Sequence, residues 1–490
     1  MAGSWLPLIN QPQFTASTML LLTNGRVMCQ DANRRIWWAL TPDANGSYVN
    51  GYWDPLASMR DARMYYGSAV LADGRVLVVG GEYAGGDKAE DIATAEIYDP
   101  YFDFWNDISV PAGWYQIGDA PLCVLFDGSV LLGSINDCRT AIYDPVGNFW
   151  RQGGQKEDCS SEETWTLLPD GSVLSVECSN HPFAEKYFPA SNRWVSAGRT
   201  PVDLVDGASI EIGPALLLTN GTVFAVGASG KTALYAPPKI PDQPGIWIAG
   251  PPTINKAGSV LQAKDAPGCL LPNGRVICVA GPMAANKDDY PSDAYFFEFD
   301  AATNILTQIL SPETGNLSPF PGSPYEGRML LLPTGEVLFA GILTASRESR
   351  VYAYQPDKPD LKVVAMLQPK IEALQGVLDG NTRTLDRGQT YLVRGKRFNG
   401  VSQAVSYGDD ATMATNYPLA RLVKSGISGS PDKVWYCRTF NHSTMGVATG
   451  DLPCTTNIQI PQLQDGDLGP TDLFLVANGI SSDPIQVTVR

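Results

Sequence analysis

The stretch AVLADGRVLVVGG at residues 69–81 contains the pattern that decides the fold. Two apolar runs flank a tight turn at Asp73-Gly74. The residue after Asp in such a turn needs a positive φ, which glycine adopts without steric cost. Apolar residues throughout both runs are typical of strands that are buried on both faces. The stretch therefore predicts a β-hairpin deep inside a β-sheet protein.

The same pattern occurs seven times along the chain. Its turn glycines are separated by 49, 54, 43, 50, 53 and 61 residues and are Gly25, Gly74, Gly128, Gly171, Gly221, Gly274 and Gly335. A spacing of about 50 residues is the period of the kelch repeat, which forms one blade of a β-propeller. The sequence therefore predicts an all-β chain whose residues 1–365 form a seven-bladed kelch-type β-propeller.

A second motif predicts how the ring of blades closes. Several blades end in a run to Tyr-x-Pro followed by a strand with Trp, as in AEIYDP with Trp105. The seventh repeat ends at Tyr354 and Pro356 without such a strand, and the N-terminal SWLPL at residues 4–8 resembles one. We expect Trp5 on the outer strand of the last blade, where it would remove an open sheet edge.

From about Pro369 the repeat gives way to short alternating segments. They include QTYLVRG at 389–395, VWYCRTF at 434–440 and DLFLVANG at 472–479. Short strands without helical periodicity over about 120 residues are typical of an immunoglobulin-like β-sandwich. We expect this domain at residues 366–490.

Charge and composition restrict the partners. The formal net charge of −16 would repel polyphosphates, so we expect no nucleic-acid partner. No apolar run reaches about 18 residues, which predicts no membrane span. The N-terminus lacks a basic segment followed by an apolar one, so no signal peptide is visible and we expect a cytoplasmic protein or one exported by a non-classical route.

The nine cysteines leave the compartment open. Cys29, Cys123, Cys178, Cys269 and Cys278 lie in apolar strand-like runs, where a free thiol packs like a small apolar side chain. Cys138 with Cys159, and Cys437 with Cys454, are candidate disulfides. Sequence alone gives no distance between them.

The domain order resembles the galactose oxidase and glyoxal oxidase family, a kelch propeller followed by a small β-sandwich. The closest likeness lies at residues 63–74, 324–333 and 407–422. The resemblance implies one copper ion at the mouth of the propeller axis, bound by two tyrosines and two histidines. One of those tyrosines is cross-linked to a cysteine in the family.

Counting back from the turn glycines carries these positions onto this chain. The cross-linked tyrosine falls on Tyr65, and its cysteine partner falls on Ala16. The Tyr-His pair of the last blade falls on Tyr325 and Glu326, and the histidine of the C-terminal domain falls on Met413. Since copper(II) favours imidazole, and neither a histidine nor a cysteine is present at these positions, we expect neither copper nor copper-radical oxidase activity.

The same offset predicts an acidic ring. The residues nine positions before the seven turn glycines are Ala16, Tyr65, Asp119, Glu162, Ile212, Asp265 and Glu326. Equivalent positions in a propeller surround its axis, so four carboxylates would meet at one mouth and repel one another unless solvated, protonated or bridged by a cation. Oxygen ligands of this kind favour Ca²⁺, with Asp119, Glu162, Asp265 and Glu326 as ligands. Alternatively, they cap strand ends or face water.

Three functions remain open. The favoured one is a non-catalytic binding propeller that presents its acidic mouth to a carbohydrate, a cation or a protein. The ligand-binding candidates are Tyr65, Asp119, Glu162, Asp265, Tyr325, Glu326 and Met413. The alternatives are a lyase or hydrolase that uses the axial tyrosines and carboxylates as acid and base, and a structural or assembly component.

Overall fold

The computed structural model describes residues 3–86, 88–161, 163–358, 361–379, 382–405, 412–413, 416–426 and 429–490. Its described part contains one α-helix, Leu361–Leu367, and three 3-10 turns, Pro189–Ser191, Pro324–Glu326 and Asp465–Asp467. Everything else that is regular is β-strand, which confirms the all-β prediction. No helix of these residues is long and apolar enough to cross a membrane.

The propeller has seven blades, as predicted. Each is an antiparallel sheet whose strands follow the chain from the axis outward, except that the outermost strand of blade 7 comes from the N-terminal residues. Blade 1 consists of Ala16–Leu21, Val27–Asp31, Trp37–Thr41 and Tyr52–Leu56, and blade 2 of Gly67–Val70, Val76–Val79, Ala95–Asp99 and Phe104–Ile108. Blade 3 consists of Leu122–Val124, Val130–Gly133, Thr140–Asp144 and Phe149–Gln152, and blade 4 of Thr164–Leu167, Val173–Val176, Phe183–Phe188 and Arg193–Arg199.

Blades 5 to 7 continue the series. Blade 6 splits its innermost strand into two short segments that both pair with the second strand. Blade 5 consists of Ala215–Leu217, Val223–Val226, Thr232–Ala236 and Ile246–Ala249. Blade 6 consists of Leu261–Gln262, Gly268–Leu270, Val276–Pro282, Tyr295–Asp300 and Ile305–Gln308. Blade 7 contains Arg328–Leu331, Val337–Ile342 and Ser349–Gln355.

The repeated turn is a three-residue loop that ends on its glycine. In blade 1 the amide of Leu22 donates to the carbonyl of Arg26, and the amide of Gly25 donates to the carbonyl of Leu22. Gly25 has φ +80°, and the other six turn glycines have the same sign. A glycine in this conformation after a type I turn is the usual three-residue hairpin, so the sequence pattern has a direct conformational cause.

The ring closes through the N-terminal strand. Innermost strands of successive blades contact one another all the way round, including blade 7 with blade 1. Ser4–Pro7 pairs antiparallel with Ser349–Gln355 as the fourth strand of blade 7, and Trp5 lies opposite Tyr354. This confirms the predicted closure, and it leaves blade 7 with the same four strands as its neighbours.

The Tyr-x-Pro motif explains how the outer strand is held. In five of the seven blades this tyrosine is buried and contacts the tryptophan of the neighbouring outer strand, with ring centroids about 5 Å apart. The pairs are Tyr98–Trp105, Tyr143–Trp150, Tyr187–Trp194, Tyr235–Trp247 and Tyr354–Trp5. Tilted aromatic pairs of this kind stabilise beyond the burial of their area.

The C-terminal domain is a continuous sheet of ten strands wrapped around its own core. In spatial order the strands are Lys370–Leu374, Thr390–Lys396, Pro453–Gln459, Lys433–Phe440, Leu419–Lys424, Gly469–Ala477, Ile485–Val489, Thr382–Leu385 and Val377–Asp379, with Ile480–Ser481 at the side. The core contains Leu422, Ile458 and Leu475. Cys437 and Cys454 belong to this core as free thiols.

This domain covers the face of the propeller that carries the hairpin turns. The amides of Thr439, His442 and Met445 donate to the carbonyls of Thr23, Ala72 and Phe126. The short paired strands Ala404–Val405 and Thr412–Met413 lie inside the ring, next to innermost strands of blades 1, 4, 5, 6 and 7. We call the opposite face, where each innermost strand begins, the open face.

Candidate functional site

The sequence offset selects residues at the start of the innermost strands, on the open face. Ala16 and Ile212 are buried there among apolar neighbours. Tyr65, Tyr325 and Glu326 are partly exposed, whereas Asp119 and Asp265 are buried. Glu162 lies outside the described residues. Met413 belongs to the strand Thr412–Met413 inside the ring, and its side chain lies outside what the structure describes.

The two aspartates differ from the solvated carboxylates that the sequence suggested. Asp265 is fully buried and has φ +49°, a left-handed conformation that is uncommon for residues other than glycine. Asp119 is 4% exposed. Buried carboxylates interact with the protein rather than with a water-filled channel, so these two shape the rim of the axis from inside.

Blades 5, 6 and 7 build an aromatic and polar cluster at the mouth. The ring of Tyr290 lies 4.4 Å from that of Tyr325, centroid to centroid. The ammonium of Lys264 lies 3.8 Å from the centre of the Tyr290 ring. The Tyr290 hydroxyl donates to a carboxylate oxygen of Glu211 at 3.4 Å. We call Lys264, Tyr290, Tyr325 and Glu211 the tyrosine cluster.

Oxygen atoms of the protein hold the ammonium group of Lys264 in place. Its ammonium donates to the carbonyl of Lys287 at 2.6 Å and lies 4.0 Å from a carboxylate oxygen of Asp206. Since the side chain is almost fully buried, its position is fixed by these contacts. A cation held over an aromatic ring is attracted by the negative face of that ring, which also fixes Tyr290.

Glu326, at the position of a family histidine, is neutralised by an arginine. A guanidinium nitrogen of Arg347 lies 2.7 Å from the Glu326 carboxylate, whose side chain is 9% exposed. The pKa of Arg347 is raised, chiefly by its hydrogen bond to Glu326. Nearby, buried Arg328 donates to the carbonyls of Tyr325 and Gly327, each at 2.7 Å. The open face therefore contains cations that the offset from the turn glycines did not reveal.

Blade 2 places a second tyrosine pair on the open face. Tyr65 has φ +52° and Tyr83 has φ +62°, and their ring centroids are 6.0 Å apart in an edge-to-face arrangement. Non-glycine residues in this conformation cost free energy and cluster at functional sites. The pair therefore belongs with the candidate site.

Neither histidine occupies a position of the ring. His181, on an open-face loop of blade 4, has its Nδ1 atom 2.8 Å from a carboxylate oxygen of Asp203. His442 is buried between the C-terminal domain and the propeller turns, where its Nδ1 atom lies 2.9 Å from the hydroxyl of Thr456. Burial lowers the pKa of His442 to about 3, so this imidazole is neutral at ordinary pH.

The residues at the family's copper positions do not fit copper(II). They are two phenols, a carboxylate already paired with Arg347, and a methionine, with alanine in place of the thiol. Copper(II) favours imidazole ligands. Within the described ranges, no three His, Cys, Asp or Glu side chains are grouped so that they could hold a metal ion.

A buried charge cluster lies in blade 4 and in the segment that leads into it. The ammonium of Lys156 contacts the carboxylate of Glu163 and lies 3.0 Å from Glu177 and 3.9 Å from Glu185. The indole nitrogen of Trp165 also donates to Glu163, at 2.8 Å. We call Lys156, Glu163, Glu177 and Glu185 the lysine cluster.

The pKa values in the lysine cluster are shifted by burial and by mutual charge. Burial and the neighbouring Glu177 raise the pKa of Glu163. The same two causes raise the pKa of Glu185 to about 7. Burial alone would lower the pKa of Lys156, but the three glutamates hold it above its ordinary value. Three carboxylates around one ammonium would carry an uncompensated charge, so protonated carboxyls reduce the cost of burying them.

A cleft continues from the mouth between blades 7 and 1. It has a volume of about 470 Å³ and runs along residues 11–15, Asp31, Arg34 and 347–350. Arg347 belongs both to this cleft and to the ion pair with Glu326. Ligand sites in proteins have volumes of this order.

Comparison with known proteins supports the fold. No protein-family model matches the sequence, and no curated protein matches it. Among solved structures, one described as a "Novel fungal alcohol oxidase with catalytic diversity among the AA5 family, in complex with copper" covers 100% of both chains, with a TM-score of 0.56 and 14% identity. The chain has the fold of an AA5 alcohol oxidase. This agrees with the galactose oxidase resemblance at the level of fold.

A second similar structure is described as "Structure of YjhT". It is 12% identical, covers 70% of this chain and 95% of that chain, and has a TM-score of 0.41. At 14% identity, the likeness to the alcohol oxidase is one of fold alone. The chemistry of the open face must therefore be argued from the side chains of this chain.

Proposed function

We propose that the open face binds a neutral, hydroxyl-rich ligand of carbohydrate type and that it does so without redox chemistry. The observation that carries the proposal is the tyrosine cluster, in which two partly exposed rings 4.4 Å apart are flanked by an ammonium and a carboxylate. Aromatic rings contact the apolar C–H face of a sugar, while charged and hydroxyl groups hydrogen-bond its hydroxyls.

The charge balance favours a neutral ligand. Glu326 is paired with Arg347, and Lys264 lies near Asp206. A cation would have to compete with Arg347 for Glu326, and an anion would meet the acidic partners. Sugar hydroxyls both donate and accept hydrogen bonds, so they suit a surface on which cations and carboxylates alternate.

The shape supports an extended ligand. The cleft of about 470 Å³ between blades 7 and 1 begins at Arg347, which links it to the mouth. Ligand sites of this size bury most of a drug-sized molecule. We infer that the ligand lies across the mouth and continues into the cleft.

The donor set supports binding over oxidation. Glu326 is already bonded to Arg347, and the position of the family cysteine is Ala16. At the positions that the resemblance assigns to the copper ligands, neither a histidine nor a cysteine is present, so those positions offer copper(II) none of the ligands that it prefers. The role that remains for Tyr65 and Tyr325 is contact with the ligand.

A glycan array followed by calorimetry tests the proposal. We expect soluble oligosaccharides that score on the array to bind the whole protein, and Tyr325→Ala to weaken binding at least tenfold through loss of ring contact. Tyr52→Ala is the matched control, because Tyr52 is an exposed tyrosine on an outer strand of blade 1. Absence of any glycan signal, or equal affinity in both variants, contradicts the proposal.

A metal test separates binding from oxidation. The protein is incubated with copper(II), desalted and analysed for retained metal, and oxygen consumption is measured with galactose and simple alcohols. We expect less than stoichiometric copper and no consumption. One equivalent of retained copper with oxygen uptake would overturn the non-redox part of the proposal.

A further inference from the structure

Two cysteines on the open face lie in contact. Cys138 lies in the loop between the second and third strands of blade 3, and Cys159 lies in the segment that leads into blade 4. Their Sγ atoms are 3.7 Å apart. All nine cysteines fall within the described residues, and the other seven are buried. This pair is therefore the one place where thiols are both mutually close and partly exposed.

The backbone on both sides of the pair is anchored. The amide of Lys156 donates to the carbonyl of Cys138 at 2.9 Å. The carboxylate of Asp158 accepts from the amides of Cys159 and Asn180, at 2.9 and 2.8 Å. A disulfide bond is about 2 Å long, and side-chain rotation can bring two sulfurs together when their backbones already lie at the right separation.

We propose that Cys138 and Cys159 form a reversible disulfide that ties blade 3 to the segment entering blade 4. The oxidant is a small-molecule disulfide such as oxidised glutathione. The thiolate of one cysteine attacks that disulfide and releases one reduced thiol, and the second cysteine then displaces the other. The protein loses two protons and two electrons, and the oxidant becomes two reduced thiols.

The surroundings make this a two-step reaction that favours closure. Burial and the neighbouring Cys159 raise the pKa of Cys138 to about 11, so few molecules carry the Cys138 thiolate at neutral pH and attack by Cys138 on the oxidant is slow. Once a mixed disulfide forms, the second sulfur is already adjacent. Burial raises the pKa of Cys29, Cys278 and other core thiols, and no oxidant reaches them in the folded protein.

The disulfide would restrict the movement of the backbone in this part of the open face. The segment between the two cysteines contains Lys156, and the segment after Cys159 leads directly to Glu163. Oxidation would therefore fix the approach to the lysine cluster between blades 3 and 4. This inference does not depend on the carbohydrate proposal, because thiol chemistry can be measured without any ligand.

Thiol counting on the native protein tests the proposal. The reduced protein is treated with oxidised glutathione at pH 8, desalted and titrated with a chromogenic thiol reagent, both folded and in guanidinium. We expect the folded count to fall from two to zero and the unfolded count from nine to seven. Peptide mapping without reduction should join Cys138 to Cys159, with no glutathione retained.

Stability gives an independent readout. Closing the loop between Cys138 and Cys159 with a disulfide should raise the melting temperature of the propeller by about 4 °C. The matched control is the double variant Cys138→Ser/Cys159→Ser, whose melting temperature should not respond to oxidised glutathione. Cys159→Ser alone should retain one glutathione on Cys138. A folded count that stays at two, a bridge between other cysteines, or glutathione retained by the wild-type protein would overturn the proposal.

Discussion

Trp5 and Tyr354 lie directly opposite each other in the strand pair that joins the two ends of the propeller chain. Their ring centroids are 4.7 Å apart, and the Trp5 indole nitrogen donates to the carbonyl of Leu310 at 2.8 Å. The same ring also packs edge-on against Phe296 and Phe339. One side chain thus joins three strands of blade 7 to blade 6.

Trp5→Ala should therefore weaken the closure of the ring. We expect the free energy of unfolding to fall by about 2 kcal/mol, less than for a fully buried tryptophan because Trp5 is partly exposed. Urea unfolding followed by tryptophan fluorescence and circular dichroism measures the change. Ile9→Ala is the control, since Ile9 is 70% exposed and should change stability by less than about 0.5 kcal/mol. Equal midpoints for the two variants would show that this contact does not hold the ring.

The lysine cluster should depend strongly on its single cation. Lys156→Met keeps the side-chain volume but leaves three buried carboxylates without their ammonium. We expect a loss of about 3 kcal/mol or more at pH 8, because an uncompensated buried charge is costly. Adding Glu163→Gln should restore part of the loss. If the double variant is less stable than Lys156→Met, the charge account is wrong.

The same cluster predicts how stability changes with pH. Because the pKa of Glu185 is about 7 in the folded protein and lower in the unfolded chain, the folded state holds a proton that the unfolded state has lost between about pH 4.5 and 7. Raising the pH through this window therefore favours unfolding. In the Glu185→Gln variant, the fall in the free energy of unfolding with rising pH should be about 2 kcal/mol smaller than in the wild type. Urea titrations from pH 5 to 8 measure this difference.

The control for that titration is a neighbouring glutamate. Glu157→Gln keeps the backbone hydrogen bond from residue 157 to Glu185 and changes only an exposed side chain. Its pH profile should match the wild-type profile. A Glu185→Gln profile that also matches the wild type would place the titrating group elsewhere.

The ion pair at the mouth gives a further comparison. Arg347→Ala leaves the mostly buried Glu326 without its guanidinium, and we expect a loss of about 1 kcal/mol. Arg350→Ala removes a more exposed pair with Glu348 and should have little effect. Thermal melts at low and high salt distinguish the two. Equal losses of stability in the two variants would mean that the pair of Arg347 with the mostly buried Glu326 contributes no more than the exposed pair of Arg350 with Glu348.

Much of the fold follows from local chemistry that the sequence displays directly. A glycine at φ +85° after Asp73 is required by the turn, so the seven repeats are visible without any structure. Closure by Trp5 was predictable because the last repeat lacked its tryptophan strand. The continuous ten-stranded sheet of the C-terminal domain was not, since strand order depends on long-range pairing that alternation does not encode.

The site was less predictable, for physical reasons. A fixed offset locates Tyr65, Asp265 and Glu326 because each blade repeats the same start of its innermost strand. Lys264 is adjacent to Asp265 and could have been noticed, but Tyr290 and Arg347 come from loops between other strands, whose lengths differ from blade to blade. The lysine cluster could not be predicted, because Lys156, the partner that permits the burial of Glu163, gives no periodic signal in the sequence.

Closure by the N-terminal strand also sets an order of events during synthesis. Ser4–Pro7 is synthesised before its pairing partner, which follows about 350 residues later, a delay of roughly 20–70 s at usual elongation rates. Until that partner strand has been synthesised, the ring of blades cannot close. The contact that closes the propeller therefore joins its first strand to its last one in the chain, so a ribosome that stalls before the seventh repeat leaves an open-edged intermediate exposed to aggregation.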